Sequence, residues 1–83
     1  MRTSLSALFG RVVRDRRIAA GLSQEKLAEK AGIHPTYVSL LERGKRKPTL
    51  DVADRIANAL NVSVARLIEN AQHHNRSPKM RAR

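Results

Sequence analysis

The side chains best suited to molecular recognition lie between residues 34 and 47. Thr36 and Ser39 are three residues apart, so their hydroxyl groups share one face of a helix. Each hydroxyl donates and accepts hydrogen bonds, and the methyl group of Thr36 also suits contact with a thymine methyl. A run of cations follows directly: Arg43, Lys45, Arg46 and Lys47. Helical hydroxyls followed by cations are typical of a surface that reads base edges and holds phosphates.

Two short helices joined by a glycine turn are predicted to position these side chains. Residues 23–44 read SQEKLAEKAGIHPTYVSLLERG. Ser23 is a favourable N-cap for a helix over 24–31, and Gly32 ends that helix. Pro35 suits the first position of the next helix, which runs to about residue 43. This order outlines a helix-turn-helix, a motif that places its second helix in the DNA major groove.

The whole chain is predicted to be all-α, with five helices. The first spans about 5–20, the fourth about 50–60 and the fifth about 64–70. The first and fourth helices carry the following apolar residues at helical spacing: Leu5, Leu8, Phe9, Val12, Val13, Leu50, Ala53, Ile56, Ala57 and Leu60. Residues 1–71 form the predicted domain, and residues 72–83 a basic, disordered tail without apolar periodicity.

Composition narrows the classes of protein and partner. The 83 residues carry a formal net charge of +10, which favours a nucleic acid or another anionic partner. No cysteine is present, so disulfides and thiolate metal sites are excluded and the reducing cytoplasm is the expected compartment. We expect no cofactor and no metal, since His73 and His74 are adjacent but lack further ligands. No apolar run reaches the ~20 residues of a membrane span, and no signal peptide is expected.

The segment from about Phe9 to Ile68 resembles the Cro/repressor-type helix-turn-helix family, also called the XRE family. The matching motifs are Arg17, Gly21-Leu22-Ser23-Gln24, Leu27-Ala28, Ala31-Gly32, Thr36-Tyr37-Val38-Ser39, Leu41-Glu42-Arg43-Gly44, Pro48, Leu50 and Ala59-Leu60-Asn61-Val62. The Thr-Tyr-Val-Ser run is also similar to that of restriction–modification controller proteins. The resemblance implies a lambda-repressor-like five-helix domain, double-stranded DNA as the partner and regulation of transcription as the function.

Two sets of residues are predicted to touch DNA. The base-contacting set is His34, Pro35, Thr36, Ser39 and Leu40. The phosphate-contacting set is Gln24, Tyr37, Arg43, Lys45, Arg46 and Lys47. Gln24 enters this set on the family resemblance, in which a Gln at the start of the second helix bonds a phosphate. Pro35 and Leu40 have no hydrogen-bonding side chain, so thymine methyls and DNA shape are expected to supply part of the specificity.

Each of these assignments has a structural alternative. The hydroxyls, Gln24 and the cations would then be only solvated, His34 would be only an N-cap, and Tyr37 would pack against the second helix. The resemblance implies that Arg17 and Glu42 form a structural ion pair across the domain. Four apolar residues around the fifth helix either complete the core or form a two-fold dimer interface: Val62, Val64, Leu67 and Ile68.

We favour a dimeric transcriptional regulator without a small-molecule effector, because the chain is too short for an effector domain. A dimer would separate the two reading helices by about 34 Å, one DNA turn. The alternative is an antitoxin that binds a protein toxin and its own promoter through the same fold. The short tail, poor in apolar residues, argues against that alternative. An enzyme is not expected, since no catalytic constellation is evident, and neither is a membrane-binding first helix, whose cations are spread around it.

Overall fold

The computed structural model describes the backbone of residues 3–81 and the side chains of residues 3–74. Within this range the chain forms five α-helices and no strand, which confirms the predicted all-α class. The helices are α1 (Leu5–Ala19), α2 (Gln24–Ala31), α3 (Pro35–Glu42), α4 (Leu50–Ala59) and α5 (Val64–Arg81). No helix in the described part is both long and apolar enough to cross a membrane.

Local sequence signals set the starts and ends of the helices. The Ser23 hydroxyl accepts a hydrogen bond from the backbone N–H of Lys26 at 3.0 Å, and Thr49 accepts one from Val52 at 3.1 Å. These caps satisfy N–H groups that have no partner within the helix. Gly32 ends α2 in the left-handed conformation, with φ of 71°. Asn61 adopts the same conformation after α4, at φ of 61°.

The core is built from aliphatic side chains at the meeting point of all five helices. Its fully buried large members are Leu27, Leu41, Ile56, Leu67, Val13 and Val38. Helix α1 packs against α3 and α5, and α2 packs against α3 and α4. Burial of these chains stabilises the fold by roughly 1.5–3 kcal/mol per large side chain. Helix α3 is therefore packed against both α1 and α2.

Two leucines do not lie where their spacing suggests. Leu50 is 79% exposed and Leu5 is 46% exposed, although both belong to the apolar sets predicted for their helices. Each is the first residue of its helix. The Cα–Cβ bond of a helical residue tilts toward the N-terminus, so a first residue reaches beyond the end of the helix. The inward stripe of α4 therefore begins at Ala53, which is buried.

Helix α5 is longer than predicted. It continues from Val64 to Arg81, so the prediction that it ends near residue 70 is wrong. The predicted disorder of the tail 72–83 stays a prediction. Ala71 is fully buried against the core, which extends the packed part of α5 past the predicted end. Once a helix is anchored, each added residue gains a hydrogen bond without a new nucleation cost. Residues 82 and 83 of the predicted tail lie outside the described range.

Candidate nucleic-acid interface

The turn between α2 and α3 fixes which side of α3 reaches solvent. Gly32 has the positive φ that the turn requires, and the N–H of Ile33 donates to the carbonyl of Ala28 at 3.0 Å. Val38 and Leu41 of α3 are both fully buried. Residues three apart lie on the same face of a helix, so burial of these two side chains leaves the opposite face of α3 toward solvent.

The outward face of α3 carries the predicted base-contacting residues. Pro35 and Thr36 are exposed, and Ser39 and Leu40 are half-buried. This matches the predicted face, with hydroxyls and short apolar groups together on one side of the helix. Contact of these groups with bases stays a prediction.

His34 caps the start of α3. Its Nδ1 accepts a hydrogen bond from the backbone N–H of Thr36 at 3.1 Å. The capping role that the sequence offered as an alternative is therefore present. In a neutral imidazole whose Nδ1 accepts, the proton resides on Nε2. The exposed ring thus retains one donor, so capping and contact with DNA are compatible for this residue.

A loop rich in cations follows α3. Arg43, Lys45, Arg46 and Lys47 are all exposed, as expected for groups that bind phosphates. The Nε of Arg43 donates to the Ser39 carbonyl at 3.3 Å, so Arg43 lies back along the end of α3. The loop itself is tied to α3 because the N–H of Lys45 donates to the Leu40 carbonyl at 2.8 Å.

Tyr37 links the helix to this loop. Its ring is half-buried and packs against the core, which supports the packing alternative for this residue. The guanidinium carbon of Arg46 lies 5.2 Å from the centre of the ring, within the range of a cation–π interaction. Tyr37 therefore joins the core to an exposed cation, and its predicted phosphate contact stays a prediction.

Arg17 and Glu42 form the ion pair that the family resemblance implies. The Nε of Arg17 donates to Oε2 of Glu42 at 2.7 Å, and Nη2 donates to Oε1 at 3.0 Å. The Nη1 of Arg17 also donates to the Leu22 carbonyl at 2.7 Å. The Glu42 side chain is only 2% exposed. Hydrogen bonding to Glu42 is the main cause that raises the pKa of Arg17, so the guanidinium stays charged at any ordinary pH.

Gln24 belongs to the same network. Its Nε2 donates to Oε1 of Glu42 at 3.0 Å, and the side chain is half-buried. The sequence offered a phosphate contact or a solvated side chain, and the free protein shows neither arrangement. An amide nitrogen carries two hydrogens, so the bond to Glu42 leaves one for the predicted phosphate. That contact stays a prediction.

The predicted dimer residues divide into two groups. Leu67 is fully buried in the core of one chain, so its assignment to a dimer interface is wrong. Leu67 lies on the face of α5 that packs against the core, so its side chain is surrounded by the other helices. Val62, Val64 and Ile68 keep part of their surface exposed. Ile68 also lines an apolar groove of about 130 Å³, together with Leu5, Phe9, Pro48, Leu50 and Ala53.

The contact between Arg55 and the turn was not predicted from the sequence. Its Nη1 donates to the Gly32 carbonyl at 3.4 Å, which connects α4 to the corner between α2 and α3. An Arg on the exposed side of a helix carries no signal for such a bond. In the described part of the chain no group of three or more His, Asp or Glu side chains could hold a metal ion.

Comparison with known proteins identifies relatives of this geometry. Residues 13–67 match the helix-turn-helix family HTH_3. The control protein C.BamHI of Bacillus amyloliquefaciens is 40% identical over 70 residues, a match that covers 83% of this chain and 86% of that protein.

Two solved structures share the fold. The restriction-modification controller protein C.AhdI from Aeromonas hydrophila aligns with a TM-score of 0.72 and 39% identity, over 74% of this chain and 92% of that one. The clp gene regulator ClgR from Corynebacterium glutamicum aligns with a TM-score of 0.89 and 26% identity, over 99% of this chain and 87% of that one. The chain therefore belongs to the XRE-type helix-turn-helix family of DNA-binding transcriptional regulators.

Proposed function

We propose that this protein is a homodimeric regulator that binds a palindromic operator and places α3 of each subunit in successive major grooves. The observation that carries the proposal is the pairing of an exposed polar face on α3 with an exposed cationic loop directly after it. Base edges are distinguishable in the major groove, whose width admits a helix. The phosphates that border the groove suit the cations.

The cationic loop and the polar face of α3 contribute to DNA binding in different ways. Arg43, Lys45, Arg46 and Lys47 supply affinity for any sequence, because each neutralised phosphate releases counterions. Thr36 and Ser39 supply discrimination, because a hydroxyl that faces the wrong base edge loses its hydrogen bond. Sequence recognition in this proposal therefore depends on a few neutral groups within a strongly cationic surface.

Dimerisation is the second part of the proposal. Leu5 and Leu50 are exposed, and Ile68 is half-buried beside them on the groove between α1, α4 and α5. Exposed leucines on adjoining helices form a surface that a second copy would remove from water. Val62 and Val64 extend the apolar surface along the start of α5. We therefore assign the two-fold interface to this groove and to the exposed parts of Val62, Val64 and Ile68.

The relatives suggest a biological setting. C.BamHI is a control protein, and C.AhdI is a restriction-modification controller protein. We infer that this chain is likewise a controller or repressor whose activity follows its own concentration, since dimerisation and DNA binding both respond to concentration. Occupation of promoter DNA would then lower transcription directly.

Selection from a random pool of double-stranded DNA tests operator recognition. The pool is bound at about 150 mM salt, and the mass of the complex on the enriched sequence is measured. We expect an inverted repeat bound by two chains. The doubly substituted Thr36→Ala, Ser39→Ala protein should enrich the repeat much more weakly, whereas the control Thr3→Ala, which removes an exposed hydroxyl outside the helices, should recover it as the parent does. Weak, salt-sensitive binding without a motif would contradict the proposal and favour an antitoxin that needs its partner.

A charge placed in the groove tests the dimer. Leu50→Glu puts a carboxylate on a side chain that is 79% exposed, so the fold of one chain should survive. We expect a dimer in the parent protein and a monomer in this variant by sedimentation. The control Asn58→Glu adds the same charge at an exposed position of α4 outside the groove. A variant Leu50→Glu that remains dimeric would exclude this face as the interface.

A further inference from the structure

The first turn of α3 depends on one residue for its hydrogen-bond acceptors. The N–H groups of Tyr37 and Val38 both donate to the backbone carbonyl of His34, at 3.0 and 3.4 Å. Pro35 has no N–H to satisfy. The remaining donor of the turn is the N–H of Thr36, and it bonds Nδ1 of the His34 ring at 3.1 Å. His34 thus serves the whole turn, with its side chain reserved for Thr36.

An imidazole is an unusual cap because its accepting nitrogen binds protons near neutral pH. Ser, Thr, Asn and Asp are the residues that ordinarily cap helices, and their oxygens still accept at pH 6. Histidine in an ordinary peptide titrates at about pH 6.5. When Nδ1 takes a proton it loses its lone pair and faces the Thr36 N–H donor to donor. The new charge also lies at the positive end of the helix dipole, where a cation is unfavourable.

We propose that His34 is a positioning residue whose neutral imidazole holds the first turn of α3 in the form that reads DNA. Thr36, a predicted base-contacting residue, is the residue whose backbone this cap fixes. Without the cap the turn frays, and DNA has to order it again on binding, which lowers the apparent affinity. The inference rests on the proposed function of α3 as the reading helix, and it makes sequence recognition sensitive to protons.

The direction of the effect follows from where the proton binds. With a neutral ring the cap is formed, so recognition is complete. On acidification, protonation of Nδ1 removes the cap and recognition weakens. The added positive charge favours phosphates of any sequence at the same time. Affinity for the operator therefore falls relative to affinity for random DNA.

Neighbouring charged groups leave this mechanism to His34 itself. Helix α2 packs against α3 and carries Glu29 and Lys30 in its last turn, and α4 reaches the turn between α2 and α3 through Arg55. Glu29 bonds Lys26 at 3.2 Å, and Arg55 donates to the Gly32 carbonyl at 3.4 Å. Among the described side chains no ion pair involves His34. The first turn of α3 contains no acidic residue.

The test compares the parent protein with His34→Asn and His34→Ala at pH 8 and pH 5.5. Asparagine keeps a side-chain acceptor but does not titrate, and alanine has no acceptor at either pH. The quantity measured is the ratio of operator affinity to random-DNA affinity. Between pH 8 and pH 5.5 the parent ratio should fall about fivefold relative to that of His34→Asn, the size expected from loss of one cap. His34→Ala should have the low ratio at both values of pH.

Hydrogen exchange of the Thr36 amide in the free protein gives an independent readout. Corrected for intrinsic rates, its protection should fall on acidification in the parent protein and stay constant in His34→Asn. A parent ratio that follows that of His34→Asn at both values of pH would overturn the inference, because His73 and His74 are present in both proteins. If no operator exists, the proposed function fails, while the exchange measurement still decides whether the cap is proton-sensitive.

Discussion

The two ends of α3 are held in opposite ways. At its C-terminal end, Glu42 is buried and accepts hydrogen bonds from Arg17 and Gln24 at 2.7 to 3.0 Å. At its N-terminal end, Pro35 and Thr36 are exposed, and the cap is a solvent-facing ring. The first end connects α1, α2 and the intervening loop, whereas the second projects from the domain.

The two ends of α3 therefore have different roles: the charges at the C-terminal end stabilise the fold, and the exposed groups at the N-terminal end and in the following loop are available to bind DNA. A buried ion pair is costly to break because the surviving partner is left without compensation. An exposed cation or hydroxyl contributes little to stability and stays free for a ligand. Substitutions at the C-terminal end of α3 should therefore act on folding, and substitutions at the N-terminal end and in the following loop should act on DNA binding.

The largest expected effect is at Glu42. Glu42→Ala leaves the Arg17 guanidinium, whose side chain is only 12% exposed, without its carboxylate, which should lower the free energy of unfolding by about 3 kcal/mol. Denaturant unfolding measures the loss. The control is Glu69→Ala, which removes a pair with Arg66 whose side chains are 59% and 73% exposed, and it should cost under ~1 kcal/mol. Equal losses in the two variants would contradict the distinction between the ends.

Gly10 tests the packing of α1 against the same end of α3. A Cβ at this position would collide with the Leu41 carbonyl oxygen, which belongs to backbone and has no rotamer to change. Gly10→Ala should therefore destabilise the fold by about 1–3 kcal/mol or more through overpacking. Leu41 is next to Glu42, so the strain would reach the ion pair.

A matched substitution separates overpacking from the general effect of removing a glycine. Gly21→Ala meets no atom within 4 Å, and its cost arises only from the positive φ of 74°. That cost is about 1 kcal/mol. Thermal unfolding of both variants makes the comparison, and a Gly10→Ala protein as stable as the parent would show that α1 and α3 are less closely packed.

Thr36 tests the exposed end. Thr36→Ala should reduce operator binding by about 1–3 kcal/mol if the hydroxyl contacts a base, with little change on random DNA. Because Thr36 is exposed, the free energy of unfolding should change by no more than about 0.5 kcal/mol. Binding isotherms on both DNAs measure the difference. Equal weakening on operator and random DNA would remove Thr36 from the base-contacting set.

The smallest effect is expected in the loop. Arg46→Ala should weaken binding to all sequences alike and reduce the slope of log affinity against log salt by about 0.9, the value for one lost phosphate contact. The charge-matched control is Arg66→Ala, an exposed cation on α5 that pairs with Glu69. An unchanged salt slope in Arg46→Ala would mean that its guanidinium serves Tyr37 and not a phosphate.

Local signals made most of the fold predictable. Ser23, Gly32, Pro35 and Thr49 mark helix limits that the structure reproduces, because caps and left-handed glycines act within a few residues of their position. The paired roles of Arg17 and Glu42 were also available, although only through resemblance to a family. Spacing alone does not indicate that two residues 25 positions apart in sequence share two hydrogen bonds.

Features that depend on tertiary packing were harder to predict from the sequence. The exposure of Leu50 and the burial of Leu67 depend on which part of each helix packs against a neighbouring helix. Helical periodicity does not indicate this, because it identifies only the apolar face. Gln24 donates a hydrogen bond to Glu42 because α2 and α3 meet at that point. No local sequence motif indicates this hydrogen bond. The length of α5 was missed because residues 72–81 lack an apolar stripe, although Ala71 anchors the helix before them.

Mapping amide chemical shifts in the free and operator-bound protein tests the central claim most directly. If α3 reads DNA while its buried end holds the fold, the largest changes should lie in residues 34–40 and 43–47. The Arg17 and Glu42 amides should change little, because their ion pair is already formed without DNA. Changes confined to α5 and to the groove around Leu5 and Leu50, with none in residues 34–47, would contradict the account.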